Sequence, residues 1–407
     1  MLRVLTHRTY AKLFSAHVIA LVGTGLLTVA LGLLAFDIGG GNAGLIMGTA
    51  MTIKMGAYVF VSPIATAFVS RLPRKPVLIG AEITRAAVAL CLPFVTEAWQ
   101  IYILIFLLQS ASATFTPTFS ATIPAVLPDE NEYTQALSLS RLAYDLESLI
   151  SPILAAALLT ITGFHNLFFG TFVGFIASAG LVITTHIPAT APSSIEKFHD
   201  RLTHGWRLFW STAELRGLMG MNLVVAAVTP LVIVNTVVLV RAELGRPQHD
   251  VAVLLAAYGG GSMLIALSIP KLINRLTDRS IMLAGGISLL LLLIAAADAI
   301  AWTTHSAQWG ALLLVWTLMG AATSAVLTPS ARILRRNSTD ENRAAVFAAQ
   351  FSLSHACFLF TYPLAGALGT GAGVSTTALT LVPLGLIGVL TAAGMWMSSS
   401  VAKLAAS

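Results

Sequence analysis

Long apolar runs, separated by short polar segments, dominate the chain. About twelve of them reach the roughly 20 residues that an α-helix needs to cross the hydrocarbon core of a bilayer. A transmembrane β-barrel would instead show stretches of about ten residues with alternating hydrophobicity. The pattern therefore predicts an all-α membrane protein. The predicted spans are 12–36, 44–69, 77–96, 99–123, 135–161, 165–187, 216–240, 251–273, 280–301, 308–328, 343–367 and 373–398.

The composition agrees with lipid as the natural solvent. Hydrophobic residues occupy 57% of the 407 positions and charged residues only 10%, whereas a soluble domain carries about 25% charged residues. The net charge of +6 raises the alternative of a nucleic-acid-binding protein. The positions of the basic residues argue against it. Eighteen of the 23 Lys and Arg residues lie at the termini or in the loops after even-numbered spans, and the positive-inside rule then places both termini in the cytoplasm.

The chain divides into two halves around its longest polar segment. Residues 1–187 and 216–407 each hold six predicted spans, and 188–215 joins them. Ser193 and Glu196 have the spacing of a helix-capping box, and apolar residues follow at helical spacing. We therefore expect an amphipathic helix in this linker, lying on the membrane surface.

Internal repeats support the two halves. The segment Ser70–Leu78, "SRLPRKPVL", recurs as Asn274–Met282, "NRLTDRSIM", and each copy joins the second and third spans of its half. Thr116–Asn131 and Thr328–Asn342 are similar in the same way between the fourth and fifth spans. Parallel six-helix repeats are typical of secondary transporters that work by alternating access.

Over nearly its full length, the chain resembles a transporter of the major facilitator superfamily. The superfamily's loop motif, roughly G-x-x-x-D-R-x-G-R-[RK], falls here on "TAFVSRLPRK", residues 66–75. The resemblance implies two six-helix halves related by a pseudo-two-fold axis, and a gating role for this loop and its second copy. Ser70 stands where the motif has Asp, so the negative charge at that position of the gating loop is absent. The implied gating residues are Ser70, Arg71, Arg74 and Lys75, and in the second copy Asn274, Arg275, Asp278 and Arg279.

The run Pro117–Pro128 resembles the branch that holds macrolide-efflux and enterobactin-exporter-like permeases. Bacterial nickel-resistance permeases are similar as well. This resemblance implies a multi-pass protein of the bacterial cytoplasmic membrane that exports a small molecule as a monomer and uses a proton gradient. No cofactor is implied.

Ionisable residues inside a membrane are costly, at about 2.5–3.5 kcal/mol each near the centre, and usually mark function. Six lie inside predicted spans and away from their ends: Lys54, Glu82, Arg85, Arg141, Asp145 and Glu147. Glu82 and Arg85 are three residues apart near one end of a span that is peripheral in the superfamily. We interpret them as a structural pair with Arg85 snorkelling to the interface.

Lys54 and Asp145 lie deeper, roughly 15 Å from the nearer ends of their helices. Arg141 and Asp145 share a helix face and can pair with each other. Glu147 points elsewhere, so Lys54 is its expected partner. Two interpretations remain open: a relay for protons or substrate, or a fixed network that stabilises the N-terminal half. Asp37, at the outer end of the first span, is either a solvated helix-end carboxylate or a proton entry site.

The substrate-cavity candidates are chemically mixed. Met51 and Met55 lie on one face of the second span, and His17 and His355 are histidines deep within spans. They would suit a soft metal ion, or they simply pack. Phe115 and Phe351 could line an apolar drug cavity or face lipid.

The expected function is proton-coupled efflux of a small organic solute. The alternatives are a nickel-type divalent metal exporter and a membrane sensor or receptor that transports nothing. We expect no enzyme activity, since the sequence contains neither a G-x-x-x-x-G-K-[ST] pattern nor a catalytic cluster.

Overall fold

A computed structural model of the chain describes residues 2–62, 64, 72–187, 206–272, 275–301, 305–338 and 343–405. Its regular elements in these ranges are all helical, and ten segments are long and apolar enough to span a membrane. The first of these segments, Arg8–Val61, contains two successive helices. The all-α fold with about twelve membrane helices, predicted from the apolar runs, is confirmed.

The first half of the chain forms six long helices. They are α1 Arg8–Gly39, α2 Ala43–Gly56, α3 Arg74–Cys91, α4 Ala98–Val126, α5 Glu130–Leu159 and α6 His165–Ile183. A π-helical segment, Ala57–Val61, continues α2 beyond its last α-helical turn. π-Helical segments are rare in proteins, and those that occur often lie at functional sites.

The second half forms six more. They are α7 Ala213–Ile233, α8 Gln248–Leu272, α9 Asp278–Ala301, α10 His305–Arg336, α11 Arg343–Gly371 and α12 Val374–Ala405. The third helices of the two halves begin at Arg74 and Asp278, 204 residues apart. Each repeated sequence segment thus contains the start of the third helix of its half. Most of the predicted amphipathic linker lies outside the described residues, apart from a helical turn at 206–211 in which Phe209 is buried.

The chain folds into two compact units. Unit 1 comprises Met1–Ser194 and Val240–Ala256, and unit 2 comprises Ile195–Leu239 and Ala257–Ser407. The short segment 240–256 therefore groups with unit 1, although it lies in the second half of the sequence. Within it, Arg241 lies over the ring of Phe36 at the end of α1, 5.2 Å from its centroid.

Small residues allow α1 to pack tightly inside unit 1. The hydroxyl of Thr171 on α6 donates to the carbonyl of Gly23, at 2.9 Å. The hydroxyl of Ser151 on α5 donates to the carbonyl of Val22, at 3.3 Å. A Cβ at Gly25 would overlap Ser151 and would lie 3.5 Å from the Cγ of Glu147. This close packing brings the side chains of α5 and α6 against the middle of α1.

Candidate functional site

Four ionisable residues from three helices form a charge cluster inside unit 1. Lys54 lies in the last turn of α2, Glu82 and Arg85 lie on α3, and Glu147 lies on α5. Two are basic and two are acidic, so the cluster is neutral when all four are ionised. We call these four residues the charge cluster.

Glu82 and Arg85 form a buried ion pair. Glu82 is fully buried and Arg85 is 5% exposed. Arg85 Nη1 donates to Glu82 Oε2 at 3.2 Å, and the hydroxyl of Ser178 on α6 donates to Glu82 Oε1 at 2.8 Å. Arg85 Nη2 donates to Thr24 Oγ1 on α1 at 2.8 Å. Each charged group therefore has a polar partner on a neighbouring helix, as buried charges require.

The interpretation of Arg85 as a snorkelling residue is wrong. Its guanidinium lies 4.0 Å from the centroid of the Phe175 ring on α6 and 5.6 Å from that of Phe115 on α4. These contacts hold the charge against aromatic faces within the unit, where a cation is attracted by the ring quadrupole. The i, i+3 pairing with Glu82 was predicted correctly, but the contacts with α1 and α6 could not be read from α3 alone.

Glu147 and Lys54 are both only partly buried. They interact electrostatically with each other, and both interact with Arg85. Tyr58, in the π-helical segment one turn after Lys54, interacts with Glu147 and Arg85 as well. The structure thus brings Glu147 and its expected partner Lys54 into one cluster. The side chains of Arg141 and Asp145 lie outside the described part of the chain, so their expected pairing stays a prediction.

His17 lies among aromatic rings next to this cluster. It is 4% exposed. Its ring stacks on that of Phe119, with the centroids 4.4 Å apart, and meets the ring of Tyr144 edge-on, with the centroids 5.4 Å apart. Phe115 lies further along the same stack, with its ring centroid 6.3 Å from that of His17. Stacked and edge-to-face rings at these distances stabilise a core. Phe115 and His17 therefore belong to the packed wall of the site.

The metal-site candidates do not form a ligand set. Met51 and Met55 are buried by packing, at 3% and 5% exposure. His355 lies on α11 in unit 2, where its Nδ1 is 2.7 Å from the carbonyl of Phe351 and the two rings are 4.2 Å apart. Among the described residues, no group of three or more His, Cys, Asp or Glu could hold a metal ion.

In unit 2, a neutral amide pair links α7 and α11. Asn222 Nδ2 donates to Gln350 Oε1 at 3.1 Å, and Gln350 Nε2 donates to Asn222 Oδ1 at 3.0 Å. Asn222 is 4% exposed. The pair joins two helices without any ionisable group, which contrasts with the charge cluster of unit 1. Asp37, the remaining acidic candidate, is exposed at the end of α1.

The two copies of the loop motif differ. Ser70 and Arg71 in the first copy and Asn274 in the second lie outside the described residues. Arg74 and Lys75 begin α3, and Arg275 is exposed. In the second copy, Asp278 and Arg279 open α9 and enter an ionic network.

This network centres on Glu214 at the start of α7, which is 6% exposed. Glu214 accepts from Arg279 at 2.9 Å, from Asn337 at 2.7 Å and from Arg336 at the end of α10. Arg336 also reaches Asp278 at 3.4 Å. Glu214 cannot be recognised as a special residue from the sequence, because a single Glu in the first turn of a helix is ordinary. Only the proximity of α7, α9 and α10 makes it a shared acceptor.

We expect Glu214→Gln to lower the thermal stability of the purified protein. Breaking a buried ion pair costs about 3–5 kcal/mol, but the side chain of Arg336 is 48% exposed and solvent weakens its share, so about 2–3 kcal/mol is expected. A melting curve in detergent measures the change. Asp298→Asn, at an exposed carboxylate on α9, is the control. Equal losses in the two variants would contradict a special role for Glu214.

Apolar helices in two repeated halves, with ionisable groups kept inside, define a polytopic membrane transporter. The family model of the Major Facilitator Superfamily matches residues 13–297. The chain belongs to this superfamily.

Several relatives and solved structures are similar to the chain. It is 24% identical over 217 residues to the uncharacterized MFS-type transporter YfiS of Bacillus subtilis, covering 51% of each chain. It is 26% identical over 152 residues to macrolide efflux protein A of Enterococcus faecalis, covering 35% of this chain and 47% of that one. The match thus spans about half the length of these curated relatives.

The fold is shared with solved transporters. The nucleoside transporter NupG aligns with a TM-score of 0.72 at 14% identity, over 95% of this chain and 99% of that one. A bacterial homolog of the human lysosomal transporter Spinster aligns with a TM-score of 0.73 at 14% identity, over 97% of this chain and 96% of the other. The expected superfamily and fold are confirmed.

Proposed function

We propose that this transporter exports a small organic solute across the bacterial cytoplasmic membrane in exchange for protons. The observation that carries the proposal is the division of the charge cluster. Glu82 and Arg85 are buried and tied to each other and to neighbouring helices, whereas Lys54 and Glu147 are partly accessible. Of the two described acids in the cluster, Glu147 is therefore the one that can exchange a proton.

The solute and the proton compete for the carboxylate of Glu147, and this competition couples solute flux to proton flux. Ionised Glu147 can accept a hydrogen bond from a donor group of the solute, and Lys54 balances its charge. A proton that binds Glu147 removes the negative charge and so weakens this hydrogen bond, and the solute is released. Because the two ligands exclude each other, alternating access turns proton entry into solute exit. Tyr58 supplies a further hydroxyl near the carboxylate.

The similarity to efflux proteins favours export of an organic compound. Macrolide efflux protein A matches the chain in two organisms, Enterococcus faecalis and Streptococcus pyogenes. Tyr144, which meets the ring of His17 edge-on, is exposed and offers aromatic surface of the kind that holds apolar solutes. The metal-exporter alternative lacks a ligand group in the described residues, and a sensor that transports nothing is not favoured in a transporter superfamily.

Proton flux in inside-out vesicles tests the proposal. Vesicles from an efflux-deficient host are acidified internally and followed with a pH-sensitive dye, while a panel of macrolides, other antibiotics, siderophores and divalent metals is added. An organic substrate should dissipate the gradient only when the protein is present. Solute flux that persists at the same rate after a protonophore collapses the gradient would contradict proton coupling. A response to the divalent metals alone would contradict an organic substrate.

A further inference from the structure

We infer that the end of unit 2 at which the Glu214 network lies binds the headgroup of an anionic phospholipid. This role goes beyond the proposed function, because it depends neither on the solute nor on proton coupling. A surplus of positive charge, a pair of exposed tryptophans and their common location support it. The residues that form this headgroup surface are Arg275, Arg332, Arg335, Arg336, Trp206 and Trp210.

The arginines at this end outnumber the acids that pair with them. The two acids, Glu214 and Asp278, are 6% and 5% exposed and already contact arginines of α9 and α10. Arg332 Nε lies 3.2 Å from Asp278 Oδ1, yet the side chain of Arg332 remains 55% exposed. Arg275 and Arg335 are also exposed, and neither forms an ion pair with a carboxylate in the described part of the chain. The headgroup surface therefore keeps a positive charge that an anion can neutralise.

This positive charge comes from two segments that meet at Asp278. Arg332, Arg335 and Arg336 share a face at the end of α10, since residues three and four apart are neighbours on a helix, and like charges at this spacing repel. The helix dipole favours basic residues in a last turn, but it does not account for Arg275, which precedes α9. The Cα atoms of Arg275 and Asp278 are three residues apart in the chain and lie within about 11 Å of each other. Asp278 itself contacts Arg332 and Arg336.

A phosphodiester matches these side chains. A guanidinium group holds its donors in a planar fork, which can bind two phosphate oxygens at once. Basic residues near a membrane surface are also attracted by the negative potential of anionic lipids. An anionic phospholipid supplies both the phosphodiester and the net negative charge, whereas a zwitterionic phospholipid supplies only the first.

Two exposed tryptophans favour a lipid headgroup over a soluble anion. Trp206 and Trp210 are one turn apart on the helical turn 206–211 and are 37% and 49% exposed, whereas Phe209 is buried. This turn ends three residues before Glu214, so it lies at the same end of unit 2 as the network. Tryptophan is enriched at the headgroup level of membranes, because its ring is apolar and its N–H is polar. A soluble phosphate would gain nothing from these rings.

Binding of fluorescent phosphatidylglycerol to the full-length protein in detergent tests the inference. Phosphatidylglycerol should bind more tightly than phosphatidylcholine with the same acyl chains. One basic residue near an anionic lipid contributes a factor of about five in affinity, so Arg275→Gln/Arg335→Gln should weaken phosphatidylglycerol binding roughly 25-fold. Neither arginine pairs with Glu214 or Asp278, so the melting curve of this variant without lipid should match that of the wild type.

A control variant and a second test variant accompany this experiment. Arg8→Gln/Lys12→Gln removes two exposed cations of α1 and should leave binding unchanged. Trp206→Ala/Trp210→Ala keeps every charge and should also weaken binding, and it replaces the arginine variant if that variant does not fold.

Inorganic phosphate should not displace the bound lipid. Equal affinity for phosphatidylglycerol and phosphatidylcholine would overturn the inference, and so would displacement by inorganic phosphate. Unchanged binding in either test variant would overturn it as well. Equal weakening in Arg8→Gln/Lys12→Gln and in the arginine variant would show diffuse attraction by surface charge instead of a headgroup site.

Discussion

Replacement of Glu147 by Gln is expected to abolish proton-coupled transport while leaving the protein folded in the membrane. Gln has the shape of a protonated Glu but cannot release a proton. The proposed cycle visits the protonated state at every turn, so the fold must tolerate a neutral group at this position. Dye-monitored proton flux in vesicles, at matched protein levels, should fall to the background of vesicles without the protein.

A matched control lies on the same helix. Glu132 is near the start of α5 and contacts His7 at 3.3 Å, with its side chain 30% exposed. Such an exposed pair contributes about 0–1 kcal/mol, so Glu132→Gln should transport like the wild type. Proton-driven transport by Glu147→Gln at the wild-type rate would refute the assignment. Equal loss in both variants would point to damage to α5.

The features that depend on one helix at a time could be predicted from the sequence. The apolar runs locate the membrane helices, and helix periodicity separates Glu147 from Arg141. Depth along a helix follows from the rise per residue, so Lys54 and Asp145 could be placed at a similar depth. The observed helices extend past several predicted spans, as α10 does at Arg336, because polar residues continue a helix beyond the apolar run.

The features that depend on contacts between helices could not be predicted. Nothing in α3 indicates that Thr24 and Phe175 receive Arg85, and the position of Arg85 near one end of the span favours a snorkelling residue. Nothing in α7 indicates that Glu214 meets Arg336. In both cases a residue with an ordinary local role becomes important only when three helices pack together.

The two halves carry the same helix order but different polar chemistry. Unit 1 holds the charge cluster, and unit 2 joins α7 to α11 with the uncharged Asn222–Gln350 pair. The ionic network of Glu214 lies at helix ends in unit 2. Proton exchange is therefore assigned to unit 1 in the proposed mechanism, and the ionic network of unit 2 serves helix packing.

Gly320→Ala is expected to cause a large loss of stability in unit 2. A Cβ at Gly320 on α10 would overlap the carbonyl oxygen of Tyr258 on α8, and a Cβ at Gly261 on α8 would overlap that of Thr317 on α10. The two helices thus touch backbone to backbone, as small residues permit in membranes. A backbone cannot rotate away as a side chain can, so the added methyl group must separate the helices. Overpacking costs typically 1–3 kcal/mol, and we expect a loss of about 3 kcal/mol or more here.

The same substitution at Gly310 provides the control, because a Cβ there meets nothing within 4 Å. Both variants lengthen the side chain on α10 by one methyl group and raise its helix propensity equally. Yield after membrane extraction and melting temperature in detergent should fall for Gly320→Ala and stay at or above the wild-type values for Gly310→Ala. If the two variants had the same melting temperature, α8 and α10 could separate without cost. That outcome would contradict the backbone contact at Gly261 and Gly320.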